Sequence, residues 1–401
     1  MADYIPFAIQ GEIMKRLPPK SLMRFRSVSK PWKSLIDSRN FIADYSFNHP
    51  RQHHLLLSYL ISELSEKKCV SFVDNNDDAT FPLEKSPLPL PIPAQFKPVI
   101  LGSSHGLFCL YFIIGENMRK RKAVLWNPSI RKSVAIAVPH PRESCLVIGF
   151  GVCPRTRDPK LVYINFGFNL LYNLPWKVKV YTLSSGAWRS ISATSQPGNT
   201  VEVGTVQVLI DELICWPAID ISIDSSIASL EFRGYNLIVS FDLTTEKFTQ
   251  VSLPDNLAHA NNFDVVISKL KNSLVVLEVV REAGKQVYGV WMMERGAVTN
   301  TFKKLFTINS PDASIRGVLG FRKNNEPIFN RMCDDELMFQ MGRYDHVYEL
   351  DSEPADSPDG SREGFFIHRL HSEDISCVLI GGNGMSLTAH SYMETLLLLD
   401  R

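Results

Sequence analysis

Several short patterns carry residue types that chemistry uses. Gly102-Ser103-Ser104-His105-Gly106 fits G-x-S-x-G, the spacing of a serine nucleophile on a sharp turn. That device needs a strand before the serine and a helix after it, and Leu107–Ile114 reads as a strand. The pattern therefore predicts a tight turn between two strands, with Gly102 and Gly106 at positive φ. His53-His54 and His368-x-x-His371 are the close histidine pairs, and neither has the C-x-x-C or H-E-x-x-H spacing of a zinc site. Cys145 and Cys153 flank a short apolar run with no neighbouring base to activate a thiol. Gly381-Gly382-Asn383-Gly384 lacks the lysine and Ser/Thr of a phosphate loop. Asp74–Asp78 lacks the glycine and closing glutamate of a calcium loop. The expectation is no catalytic residue, no metal ligand and no cofactor.

Composition points the same way. Hydrophobic residues make up 45% and charged residues 21%, the balance of a soluble protein with a real core. A net charge of +1 gives no global field to draw the chain to nucleic acid or membrane. The seven cysteines, Cys69, Cys109, Cys145, Cys153, Cys215, Cys333 and Cys377, are odd in number and scattered, which fits buried free thiols in a reducing compartment. No N-terminal stretch combines basic residues, a long apolar run and a cleavage site. Runs such as Leu146–Val152 fall far short of the ~20 apolar residues of a membrane helix. A cytoplasmic or nuclear location is expected.

The elements that must position any site divide the chain in two. Residues 1–47 read as three helices. Ile9, Ile13 and Leu17 recur at spacing four, and Pro18-Pro19 stops that helix. Ser21 is placed to cap a second helix carrying Leu22 and Phe25. Ser29 is placed to cap a third, with Pro31 in its first turn and Trp32, Leu35 and Ile36 inward. Phe41, Ile42 and Tyr45 extend that apolar face. The segment is basic, with Lys15, Arg16, Lys20, Arg24, Arg26, Lys30, Lys33 and Arg39 against Asp3, Glu12, Asp37 and Asp44. So small a unit has little core of its own and is expected to lean on a partner.

From residue 53 to 401 the pattern is β throughout. Short β-branched and aromatic runs separated by turn residues read as strands from His54–Leu60 to Phe365–Leu370, including Val206–Trp216 and Val347–Leu350. Residues 82–98, with Pro82, Pro87, Pro89, Pro91, Pro93 and Pro98, read as a semi-rigid surface loop, and the acidic stretch 351–363 as a flexible insertion. A strand–turn–strand pattern led by an aromatic recurs at Trp126, Tyr181, Phe241, Trp291 and Tyr348. This is near the kelch period of about 50 residues and predicts a β-propeller of about six blades.

The N-terminal segment resembles the F-box. The residues are Ile5-Pro6, Ile9, Ile13, Leu17-Pro18-Pro19-Lys20-Ser21-Leu22, Arg24-Phe25-Arg26-Ser27-Val28-Ser29-Lys30, Trp32 and Leu35-Ile36. The rest resembles the plant F-box-associated, kelch-related region, through Ser104-His105-Gly106-Leu107, Leu125-Trp126-Asn127-Pro128-Ser129, Gly149-Phe150-Gly151, Val180-Tyr181, Trp188-Arg189 and Ser391-Tyr392-Met393-Glu394-Thr395-Leu396. Ile5 stands where the family has leucine, and Gly11 sits inside the first helix at a cost of about 1 kcal/mol relative to alanine. The resemblance implies that the F-box binds a Skp-type adaptor, which bridges to a cullin–RING ubiquitin ligase, and that the β domain captures a protein substrate. It places the adaptor contact on Ile5, Pro6, Ile9, Ile13, Leu17, Pro18, Leu22, Val28 and Trp32.

The residues support that role on their own terms. This apolar set is too large for so small a helical unit to bury, and exposed apolar patches mark interfaces. The nearby cations fit a partner with an acidic surface, which speeds encounter more than it tightens binding. A bland alternative makes the same residues the core of a three-helix subdomain, with Phe25 and Trp32 fitting either role. Two further readings compete: an enzyme with a site in a propeller channel, and a module that sequesters a partner without ubiquitin transfer. No nucleic-acid motif accompanies the basic segment, and the substrate is not legible.

Overall fold

The structure is a computed structural model of the 401-residue chain, describing residues 5–48, 53–60, 67–74, 86–93, 96, 98–114, 120–139, 145–166, 175–192, 196–222, 233–260, 265–282, 285–296, 300–309, 315–334, 361–368, 375–379 and 388–401. Among them the head has four helices where the sequence predicts three: α1 (Phe7–Lys15), α2 (Pro19–Phe25), α3 (Lys30–Ile36) and α4 (Arg39–Phe47). The extra break is local. Ser38 leaves helical geometry and its hydroxyl accepts the Phe41 N–H at 3.3 Å, so a fresh N-terminus forms and Phe41, Ile42 and Tyr45 lie on their own helix. Ser29 caps α3 as expected, accepting the Trp32 N–H at 3.3 Å. Ser21 is no cap. Pro18 holds that position and Pro19 opens the helix, where its missing N–H costs nothing.

The strands form six sheets among the described residues, five of four strands and one of five. The first takes β1 (His53–Leu60), β2 (Lys67–Val73) and β3 (Ser86–Pro87) from one end of the chain and β25 (Thr388–Met393) from the other, in the order β25-β1-β2-β3. The next is a plain meander, β4 (Val99–Ser104), β5 (Leu107–Ile114), β6 (Lys120–Asn127) and β7 (Lys132–Val138). The third is β8 (Cys145–Val152), β9 (Pro159–Phe166), β10 (Lys177–Thr182) and β11 (Ala187–Ser190). The fourth orders β12 (Val201–Val203), β14 (Leu213–Ser222), β15 (Arg233–Asp242) and β16 (Phe248–Ser252), with β13 (Val208–Ile210) also on β14. One helical turn, α5 (Asp255–Ala258), leads to β17 (Val265–Leu270), β18 (Ser273–Glu282), β19 (Lys285–Glu294) and β20 (Thr301–Asn309). The last is β21 (Ile315–Phe321), β22 (Pro327–Asp334), β23 (Ser361–His368) and β24 (Ile375–Leu379).

The recurring aromatics fall on equivalent strands: Trp126, Tyr181, Phe241 and Trp291 each lie on the third strand of their meander. Tyr348, the run Val347–Leu350, Asn75–Asp78, His371 and Gly381–Gly384 lie outside the described residues. Three readings change. Val206–Trp216 is a hairpin, because Asp211 turns the chain at φ 52. Ser361–Glu363 open β23 instead of ending an insertion. The proline segment is a packing element: prolines 87, 89, 91 and 93 face outward while Leu88, Leu90 and Ile92 between them pack on the Phe108–Trp126 core. Alternation of period two survives there because an extended chain needs no N–H from the outward prolines.

The chain packs as two compact units. One is Met1–Leu57, Lys67–His140 and His390–Arg401; the other is Ser58–Glu66 and Pro141–Ala389. The first holds helices α1–α4 and the core of Leu56, Cys69, Phe108, Leu110, Trp126 and Tyr392. The second is centred on Val162, Trp176, Val180, Trp216, Phe241 and Phe248. Its glycines answer to that core. A Cβ on Gly149 would lie 2.3 Å from the Trp216 ring, and one on Gly151 would lie 2.6 Å from Leu243. Also in this unit, Lys160 donates to Leu243 O at 2.6 Å and to Glu246 at 2.8 Å, and Arg189 pairs with the same carboxylate. Burial would raise Glu246, but these bonds outweigh it and hold the carboxyl below its usual range.

In the first unit, β25 brings a pH dependence. The His390 Nε2 is shut off from water without a hydrogen-bond partner among the described residues. Burial, with the Lys67 charge second, holds its pKa down to about 4. The unfolded chain takes up this proton near pH 6.5, which the folded chain refuses. The His390 contribution to stability is therefore full above pH 6.5 and is lost as the pH falls toward 4, by at most about 1 kcal/mol per pH unit. Urea midpoints measured between pH 7.5 and 4.5 are expected to drop, with His390→Leu removing much of the slope. An equal slope in that variant would refute the assignment.

Candidate functional site

The sequence alone cannot say which way α1 faces. In the structure its inward side is Gly11 and Met14, three residues apart, while Ile9 and Ile13 point away. Ile5 is 50% exposed, Phe7 42%, Ile9 50%, Ile13 48% and Val28 63%. Five of the twelve large exposed hydrophobics among the described residues thus fall within the first 28 positions. Phe7 is an addition, since its position off the spacing-four row hides it in the sequence. A small head that turns branched side chains to water has an uncovered surface.

The other predicted contact residues divide. Pro6 and Pro18 are exposed, and Leu17 and Trp32 are half-buried. Leu17 lies past the end of α1, where its carbonyl accepts the Tyr45 hydroxyl at 2.8 Å. Leu22 is a correction: its exposure is 0%, and it shares the buried side of α2 with Pro19, three residues before it. It belongs to the head's own packing. Trp32 packs its ring 5.3 Å from Phe25 and donates its indole N–H to Gln10 at 2.7 Å, which locks α3 to α1.

Charges sort similarly. Lys15 bonds Glu12 at 2.7 Å and Asp44 at 2.5 Å, and Arg26 meets Asp37 through two bonds of 2.6 and 2.9 Å. Those hydrogen bonds raise the Lys15 pKa. Arg16, Lys20, Arg24, Lys30, Lys33 and Arg39 are exposed. Gly11 explains itself less well: a Cβ there would sit 3.5 Å from Leu35, an ordinary contact. Gly11→Ala is therefore expected to stabilise the head by about 1 kcal/mol through helix propensity, read as a rise in urea midpoint. A fall would mean that the close approach to α3 is needed.

The G-x-S-x-G segment folds as a turn between two strands. Ser104 ends β4, and His105 (φ 49) with Gly106 (φ 79) makes a two-residue hairpin turn into β5. The serine hydroxyl lies 3.2 Å from His105 Nδ1, on a turn followed by a strand. His105, not Gly102, takes the second positive φ. Cys69, Cys109, Cys153 and Cys215 are buried free thiols, and burial pushes Cys215 up to about 12. Among the described residues no group of three or more His, Cys, Asp or Glu could hold a metal, and no helix is long and apolar enough to cross a membrane.

With the fold and this surface established, the comparisons decide the family. Residues 4–44 match the F-box domain, and residues 52–339, more than half of the chain, match the F-box associated beta propeller domain. The chain belongs to the F-box-associated β-propeller family. Its architecture is a short helical F-box followed by an all-β propeller. Relatives in Arabidopsis thaliana include F-box protein At2g21930, 26% identical over 61% of this chain and 59% of its own length. F-box protein CPR1 is 25% identical over 77% and 73%, and a putative F-box/kelch-repeat protein, At1g12170, is 26% identical over 72% and 74%. The chain thus spans less than two thirds of the first of these relatives. The family's sequence marks have physical causes here. Gly149 and Gly151 make room for Trp216 and Leu243, and Asn127 and Gly106 receive the segment after β25.

Proposed function

We propose that this F-box protein is the non-catalytic substrate-recognition subunit of an SCF-type cullin–RING ubiquitin ligase. The observation that carries the reading is a set of exposed apolar side chains on the small head: Ile9 and Ile13 on the outward side of α1, Ile5 and Phe7 at its start, and Val28 between α2 and α3. We assign these residues, with Pro6, Pro18 and the half-buried Leu17 and Trp32, to the contact with a Skp-type adaptor. The exposed cations beside them fit an acidic adaptor surface and faster encounter. We divide the protein into an F-box domain, residues 1–47, and a kelch-related substrate-binding propeller, residues 53–401. A protein substrate held there is brought close to the ubiquitin carrier, and proximity is the whole contribution. The partners in this reading are proteins, not nucleic acid or membrane, in the cytoplasm or nucleus.

Titration of the purified chain with a purified Skp-type adaptor tests the first half, and an absence of saturable binding would sink it. Reconstitution with the ligase core tests the second. A chain that binds adaptor and a captured protein yet supports no ubiquitin transfer would be a sequestering module.

A further inference from the structure

We infer that Thr395–Arg401 is a positioning clasp that fixes the F-box head onto the sheets of its own unit. The inference rests on the reading above for its purpose, and on contacts alone for its mechanism. Thr395 through Leu399 are 1%, 0%, 8%, 3% and 3% exposed. Five consecutive buried residues follow neither helix nor strand periodicity, so this segment is enclosed on more than one side. Its own bonds are two turns, Leu399 N–H to Leu396 O at 3.0 Å and Arg401 N–H to Leu398 O at 3.2 Å, and a bond from Leu397 N–H to the Thr395 hydroxyl at 3.2 Å, with Leu398 at φ 72.

The segment reaches both partners. Toward the head, Leu396 N–H donates to the Ser46 hydroxyl of α4 at 3.3 Å. Toward the sheet, Asn127 at the end of β6 is fully buried and donates to Thr395 O at 3.1 Å and Leu397 O at 2.7 Å. Lys132 at the start of β7 donates to Leu399 O at 2.8 Å and Arg401 O at 2.7 Å. The hairpin turn closes the junction. The His105 ring packs 4.6 Å from Phe47 of α4, and a Cβ on Gly106 would lie 2.2 Å from Met393 O. Helix α4, the β4–β5 turn and the clasp therefore meet in one place. None of the exposed residues assigned to the adaptor lies in it, so orientation and adaptor affinity are separable. A receptor whose head is fixed presents its cargo at a set place, where a loosely tethered head would spread it.

Hydrogen exchange on the full chain, paired with adaptor titration, tests this. In Asn127→Ser, amides of α4 and of residues 395–401 are expected to exchange at least tenfold faster. The adaptor Kd and exchange in α1 should stay within twofold, with β17–β20 as the folded control. Unchanged exchange in α4 would overturn the inference, as would an adaptor Kd that weakens in step with it. If Asn127→Ser loosens β17–β20 as well, Lys132→Met at the outer end of the segment is read by the same criteria. Absence of adaptor binding in the unmodified chain would defeat the ligase reading and leave the exchange result to decide the clasp.

Discussion

Ile9→Glu combined with Ile13→Lys is expected to weaken adaptor binding by two to three orders of magnitude while leaving the head folded. Both side chains are about half exposed, at 50% and 48%, so the folded chain loses little packing. The new pair is spaced four apart with the acid first, the orientation that supports a helix and its dipole. Stability should therefore move by no more than about 0.5 kcal/mol. Binding is a different matter. Each isoleucine would enter a dry contact, and replacing one by a charge in the centre of an interface costs about 2 kcal/mol or more. Calorimetric titration with the adaptor and a urea curve on the same variant give both numbers. Intact affinity would remove these residues from the interface, and an unfolded head would show that α1 needs them for itself.

Gly149→Ala is expected to be among the most damaging single-methyl changes in the protein, costing about 3 kcal/mol. The added Cβ would fall 2.3 Å from Trp216 Cζ2 and 3.0 Å from Cη2. That indole is completely buried among Trp176, Val180 and Phe241 and has nowhere to go. The cause can be separated from strand propensity by a double-mutant cycle. Trp216→Leu alone should cost about 3 kcal/mol through the cavity it leaves. Adding Gly149→Ala to it should cost much less than in the parent chain, because the colliding ring is gone. Additive costs would place the damage in the backbone of β8 instead.

Much of this architecture was legible before the structure. Alternating β-branched runs marked the strands, and the spacing of Trp126, Tyr181, Phe241 and Trp291 marked equivalent strands, since local periodicity reports local conformation. Ser29 announced a helix start because capping is a contact over three residues. What stayed hidden is what depends on distant neighbours. Spacing four shows that Ile9 and Ile13 share a face but not whether that face looks at the core. Leu22 read as a contact and is interior, because a short amphipathic helix gives the same pattern for either role. Asn127 gave no sign that its amide serves carbonyls of the segment after β25, and the proline-rich stretch hid its buried leucines behind a composition typical of loops.

The first sheet carries a consequence for the order of events during synthesis. Its strand β1 pairs with β25, which leaves the ribosome only after every other described strand. Until then β1 presents an unpaired edge, the kind of surface that recruits chaperones or aggregates. Within this chain the helical head is made before any of the strands. A nascent chain could thus expose the proposed docking residues well before the first sheet is closed, and a stop codon placed before β25 should yield a protein with an open β1 edge that is quickly destroyed.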